Sequence, residues 1–177
     1  MLIVGDNLKY LVEQHQIVTD ARCFDNNSLT LTLDRKIISI QPDDINNEIV
    51  YGHKIPPTWI IEDFIKDEGI VLPPQSAILG CSHEHIKMPI GYFGFVQTKG
   101  SLARLFMLIN CCDGQIDAGY AGKVTFEICN LSTLSVRIHS HQPVAQLFIF
   151  KTSSRLVKPY NGRYQGAIGP TIQQPED

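Results

Sequence analysis

No apolar run in this 177-residue chain approaches the ~20 residues that a membrane-spanning helix requires. Its first residues, Met1-Leu2-Ile3-Val4-Gly5-Asp6, show neither the basic stretch nor the long apolar segment of a secretory signal. A basic excess is missing too: 15 Lys and Arg stand against 18 Asp and Glu, so the electrostatic footprint of a phosphate-backbone binder is not there. The five cysteines (Cys23, Cys81, Cys111, Cys112 and Cys129) are odd in number and follow no framework spacing, which argues for free thiols in a reducing compartment. The expectation from these absences is a soluble cytoplasmic chain with no membrane or nucleic-acid partner. Its length and 44% hydrophobic content suit one domain with a core of its own.

Several catalytic signatures are also lacking. There is no GxxxxGK[ST], no GxGxxG and no GxSxG, which removes the P-loop, the Rossmann fingerprint and the serine-hydrolase elbow. His83-Glu84-His85 is not HExxH, because Lys87 stands where the second histidine belongs. An HxE followed by PCxxC, the ligand set of zinc nucleobase deaminases, is absent, and Cys111 and Cys112 are adjacent, so on a strand they would point to opposite faces. His83 with His85, and His139 with His141, share a strand face at i, i+2, but neither pair has a thiol or carboxylate at ligand spacing.

What is present is mostly β patterning. Leu8, Leu11 and Val12 after Asp6 predict a short amphipathic helix over 6–15, with Asp6 as a candidate N-cap. Ser28-Leu29-Thr30-Leu31-Thr32-Leu33 alternates like a half-buried strand. Residues 41–76, interrupted by five prolines, read as loops and short edge pieces. Short strands are expected at 77–81, 92–96, 105–109, 123–130, 134–139 and 144–150, and a helical turn at 100–104. Even spacing of short strands suggests a β-barrel or jelly roll. From Pro159 the chain is too poor in apolar residues for a core element, so the division is a domain over 1–158 and a tail over 159–177 that docks or stays mobile.

Two segments carry chemistry. Thr98-Lys99-Gly100-Ser101-Leu102-Ala103-Arg104 sets cations, a hydroxyl and N–H groups around a helical turn, a combination that suits phosphate oxygens as well as it suits an ordinary turn. Gln115 to Glu127 (QIDAGYAGKVTFE) is a Gly/Asp-rich hairpin leading into a strand. On that strand Lys123, Thr125 and Glu127 face one way, and Val124, Phe126 and Ile128 the other.

Together these segments resemble the dCTP deaminase branch of the dUTPase superfamily. KGSLAR is similar to the RSSLAR phosphate motif, and IDAGYAGKVTFEICN to the IDPGF-x-G-x-ITLE-x-xN segment. Ser28–Leu33 resembles the S-x-DLRLG strand, and RYQGAIGPT the KYQGQ-x-GPT tail. The resemblance implies a distorted dUTPase-like β-barrel with a short N-terminal helix, assembled as a homotrimer with sites between subunits and a C-terminal lid. It further implies zinc-independent deamination of dCTP, with Glu127 as general base and acid and Arg104 orienting the cytosine. Asp117 would accept from the 3′-hydroxyl, and Tyr120 would pack under the sugar. Lys99, Gly100 and Ser101, with Tyr160, Arg163 and Tyr164 of the tail, would hold the triphosphate and its Mg²⁺. Lys99-Gly100 replaces the usual Arg-Ser, Asp113 is unusual before the hairpin, and Ala167 takes the place of a phosphate-binding glutamine.

Three functions fit this resemblance: a dCTP deaminase, with or without onward hydrolysis to dUMP; a dUTPase; or a non-catalytic nucleotide binder. The strand carboxylate Glu127 favours the first, since dUTPases generally lack it and carry a glycine-rich P-loop-like tail that is missing here.

Overall fold

Leu8, Leu11 and Val12, the apolar face expected of the first helix, are all buried on α1 (Gly5–His15). In the computed structural model, which describes residues 1–19, 23–44, 47–110, 113–154 and 158–173, α1 starts one residue earlier than Asp6. Val4 is the N-cap and no side chain caps the helix. Pairing of Leu2 with Phe150 and the Ile3 N–H bond to Ile149 keep the chain extended up to Val4. Asp6 instead sits in the first turn, where its charge favours the helix dipole.

The strands are β1 (Phe24–Asp25), β2 (Ser28–Thr32), β3 (Lys36–Ile40), β4 (Ile60–Phe64), β5 (Ile70–Leu72), β6 (Ser76–Lys87) and β7 (Tyr92–Thr98). After α2 (Gly100–Ala103) come β8 (Met107–Leu108), β9 (Gln115–Ile116), β10 (Ala121–Asn130), β11 (Val136–Ile138) and β12 (Pro143–Lys151). They form two five-stranded sheets, β1-β2-β12-β7-β9 and β4-β3-β6-β10-β8, and a ribbon β11-β5. The sheets do not close into one barrel; Leu33 bridges from the end of β2 to Ser82 of β6. Apolar residues of both sheets, among them Leu29, Leu31, Leu147, Ile86, Phe126 and Ile128, make the shared core.

Most expected strands are present, with three differences. β3 was not anticipated, and it lies between β4 and β6 because its isoleucines bury against both the core and a cavity. β6 runs on through His83 and His85, so these histidines are within the strand and not at its end. The register slips at Val124, where Ser82–Glu84 bulge out of the ladder between Cys81 and His85. Ser82 fills the bulge: its hydroxyl donates to the Glu84 carbonyl at 2.7 Å and accepts the Val124 N–H at 2.9 Å. The strand expected at 105–109 shrinks to β8, since Leu105 and Phe106 form the turn leaving α2. Cys111 and Cys112 lie outside the described residues.

Candidate active site

β10 alternates between half-buried and buried positions along its whole length, with Lys123, Thr125 and Glu127 on one face and Val124, Phe126 and Ile128 on the other. The polar face is covered, not solvated. It lines a cavity of about 820 Å³ that holds Glu127, Thr125, Asp117, Tyr120, Asp113 and Gln115. The rest of the lining is largely apolar: Leu79 of β6 and Ile38 of β3 stand in the same cross-strand row as Glu127, and Ile40, Ile78 and Ile55 also line the cavity. Glu127 is half-buried, with Oε2 sealed from solvent.

The expected hairpin is instead a turn between two sheets, because β9 pairs with β7 and β10 with β6; this turn puts Asp117 and Tyr120 at the cavity. Gly119, at φ +87°, turns the chain and donates its N–H to Met88 at 2.8 Å, while the Tyr120 N–H bonds to the Asp117 carbonyl at 3.1 Å. The Tyr120 hydroxyl donates to the Lys123 carbonyl, and its ring meets Tyr160 edge-on with centroids 5.7 Å apart. Burial, with Tyr160 nearby, raises the Tyr120 phenol above its ordinary range, so this ring is a neutral packing surface.

The tail lies along β10 of its own chain. Tyr160 N–H bonds to Ala118, Gly166 N–H to Ala121, and Lys123 N–H to the Ala167 carbonyl. Gln165 clamps the turn, accepting from the Ala121 N–H at 3.0 Å and donating to the Gly119 carbonyl at 3.0 Å. Only glycine permits this approach at position 122, where a Cβ would stand 2.8 Å from the Ala167 nitrogen. Tyr160, Tyr164, Thr171, Ile172 and Gln173 thereby become part of the cavity wall. Arg163 is exposed beside a smaller adjoining hollow of about 310 Å³, which Tyr51 and Gly52 also line. Sequence reasoning missed Tyr51, Ile38, Ile40 and Ile55, because nothing local marks a loop tyrosine or a strand isoleucine as facing a cavity.

One chain does not bring the other expected residues here. Lys99, Gly100, Ser101 and Arg104 are on or beside α2, away from the lining residues, and no lysine or arginine lines the larger cavity among the described residues. Arg104 is exposed and folds back so that Nη1 donates to the Gly100 carbonyl at 2.9 Å. A side chain at Gly100 would crowd that guanidinium, with a Cβ 3.2 Å from Nη1.

Beside the tail is a charged cluster. Asp34 bonds to the Lys123 ammonium and accepts the Lys36 N–H at 3.1 Å, with His83 Nδ1 3.6 Å away. Burial alone would raise the Asp34 carboxyl, but the Lys123 bond and charge, with the Lys36 and Arg35 N–H groups, hold it below its ordinary value. His83 packs edge-on against His141 at 4.5 Å. Glu84, between the two β6 histidines, is buried and turned away from them: its carboxylate accepts the Thr32 N–H at 2.9 Å and the Thr32 hydroxyl at 2.7 Å. It ties β2 to β6.

Residues 3–152 match the family described as dCTP deaminase-like. A protein named dCTP deaminase, dUMP-forming, from Methanospirillum hungatei JF-1 is 34% identical over 139 residues, covering 70% of this chain and 74% of that one. One of the same name from Sulfurihydrogenibium sp. is 34% identical over 115 residues, 65% of this chain and 63% of that protein. Among solved structures, the 2′-deoxycytidine 5′-triphosphate deaminase of Agrobacterium tumefaciens superposes with a TM-score of 0.63 at 16% identity, over 84% of this chain and 47% of that one. The mainly β architecture with its short helix is thus of the dUTPase-like type expected. The chain belongs to the dCTP deaminase-like family.

Proposed function

We propose that this chain deaminates dCTP to dUTP and ammonia, and carries the product on to dUMP and diphosphate. The observation that carries this reading is the placement of half-buried Glu127 in one open-mouthed cavity together with Asp117 and Tyr120. The names of the relatives, dCTP deaminase, dUMP-forming, support the second step.

Glu127 takes a proton from water as the oxygen attacks C4 of cytosine, and returns a proton to the departing amine. A half-buried carboxylate beside apolar side chains suits both duties, because the proton it takes is partly shielded from exchange with bulk water. Asp117 accepts from the 3′-hydroxyl, and the neutral ring of Tyr120 lies under the sugar. The tail from residue 159 onward acts as the lid, with its described part at the cavity: by closing over the nucleotide it excludes water and strengthens the charge interactions inside. Arg163, Tyr160 and Tyr164 meet the phosphates at the adjoining hollow. Asp113 and Gln115 at the cavity offer hard oxygen donors that suit a hydrated Mg²⁺ riding on the triphosphate, where the ion neutralises phosphate charge. Deamination uses no zinc, since the sequence lacks the HxE and PCxxC ligand set.

Assembly completes the site. The cavity is rich in carboxylates and lacks a cation among its described lining residues, whereas Lys99 and Arg104 are on an exposed turn elsewhere. A homotrimer in which α2 of one copy meets the cavity of the next supplies the missing charge. The test is incubation with dCTP and, in parallel, with dUTP, each with Mg²⁺, resolving dUTP, dUMP and ammonia. Ammonia with dUMP is the expected result; turnover of dUTP without any of dCTP would assign a dUTPase, and no turnover of either a nucleotide binder.

A further inference from the structure

Glu127 faces Leu79 across the β10–β6 ladder, and Leu79 faces Ile38 across the β6–β3 ladder. All three line the cavity. Leu79 is half-buried and Ile38 only 3% exposed, yet neither belongs to the core shared by the two sheets. Ile55 is likewise buried outside that core and lines the cavity. These aliphatic side chains serve the cavity, not the packing of the sheets. They also leave room: Ala77, two residues from Leu79 on the same face of β6, brings only a methyl group to the lining. At about 820 Å³ the cavity is at the larger end of the range for small-molecule sites.

This row orients a cytosine whose C4 amine is at Glu127. C4 is flanked by N3 on one side and C5 on the other. N3 is a hydrogen-bond acceptor, and against Leu79 and Ile38 it would lose water without gaining a donor. C5 carries only hydrogen and loses nothing there. The C5 edge therefore faces the aliphatic row, and N3 faces the polar part of the lining, where Gln115 offers an amide. Side chains in such a row are ~5 Å apart from strand to strand, so a group attached to C5 comes to rest against Leu79.

We propose that the chain also deaminates 5-methyl-dCTP, with Leu79 and Ile38 receiving the methyl group. This rests on the deaminase reading above and extends its substrate class to cytosine nucleotides with an apolar group on C5. The chemistry at C4 is unchanged. The water oxygen bonds to C4 and the C4–N bond breaks; one water proton passes by way of Glu127 to the amine, which leaves as ammonia, and the other ends on N3. 5-methyl-dCTP and water thus give dTTP and ammonia, with no oxidant or reductant. A polar group on C5 fares worse, because the hydroxyl of 5-hydroxymethyl-dCTP would meet the same aliphatic side chains without a partner.

Initial rates of ammonia release by the full chain with Mg²⁺, from dCTP, 5-methyl-dCTP and 5-hydroxymethyl-dCTP in parallel, test this. The kcat/KM for 5-methyl-dCTP is expected within ~10-fold of that for dCTP, and that for 5-hydroxymethyl-dCTP ~10-fold or more below the methyl compound. Leu79→Phe fills the space beside C5 and is expected to lower the ratio of the methyl to the unmethylated kcat/KM by ~10-fold or more. That ratio is taken within one protein, so a loss of folded enzyme cancels, and the comparison in the parent stands without the variant. A 5-methyl-dCTP rate more than ~10-fold below that of dCTP in the parent overturns the inference, as do equal rates for the methyl and hydroxymethyl compounds or a ratio that Leu79→Phe leaves unchanged. The two readings fail separately: turnover of dCTP with rejection of 5-methyl-dCTP defeats only the wider substrate class, whereas turnover of neither defeats the deaminase reading itself.

Discussion

The Thr125 and Thr171 hydroxyls lie 2.8 Å apart, and the Thr171 N–H donates to Thr125 Oγ1 at 3.0 Å. Thr125 is the neighbour of Glu127 on the same face of β10, so the tail is fastened at Thr171 one step from the candidate catalytic carboxylate. The docked tail therefore lies beside the approach to Glu127.

Glu127→Gln keeps the shape of the side chain but removes the proton acceptor. Deamination is expected to fall by ~10²-fold or more while nucleotide affinity survives. Steady-state ammonia release together with calorimetric dCTP binding measures both, and an active Glu127→Gln would remove Glu127 from its role.

Gly122→Ala separates the lid from the domain. The added Cβ would stand 2.8 Å from the Ala167 nitrogen, which is backbone and cannot rotate away. The domain should still fold, whereas amide exchange over 160–171 should accelerate and turnover should drop. Unchanged exchange in that segment would show that the tail does not dock on β10. Within the same segment, Arg163→Ala is expected to weaken triphosphate binding roughly 10–100-fold and to leave nucleoside binding alone.

The Asp34–Lys123 pair predicts an acid-side dependence of stability. The Asp34 carboxyl in the fold is held below its ordinary value of 3.8, so its contribution is present above that pH and disappears as pH falls through the lower folded value. Asp34→Asn is expected to lower the melting temperature at neutral pH, with the gap to the parent closing as pH drops below about 4 and through the folded value. A gap that stays constant through that window would mean the pair does not couple to folding.

The described cysteines should differ in reactivity. Cys81 is fully buried, and burial, with the Asp34 charge beside it, pushes its thiol up to about 12. Cys23 is buried as well, whereas Cys129 is partly exposed and lines the cavity on the face of Glu127. Iodoacetamide on the native protein, read by peptide mass mapping, should modify Cys129 well before Cys23 or Cys81. Saturating dCTP on the Glu127→Gln protein should slow it. Equal labelling of Cys129 with and without nucleotide would place the ligand elsewhere.

Much of the molecule was legible residue by residue. Period-two alternation in Ser28–Leu33 and Ala121–Asn130 and period-3.6 spacing in α1 are local consequences of backbone geometry, and burial follows them without exception at Leu29, Leu31, Phe126 and Ile128. The sequence alone also determined that Lys123, Thr125 and Glu127 share a face, because nothing but strand periodicity is needed for that. It did not determine what covers that face. The cavity exists because β3 packs beside β6, because a bulge at Ser82–Glu84 reshapes the ladder, and because a tail with no apolar period of its own is held by backbone bonds to Ala118, Ala121 and Lys123. Those are contacts between residues far apart in the chain, and main-chain hydrogen bonds leave no mark on side-chain composition. For the same reason only the tertiary structure decided that Glu84 is a buried tie to Thr32 while Glu127, also on a strand of the same sheet, faces a cavity.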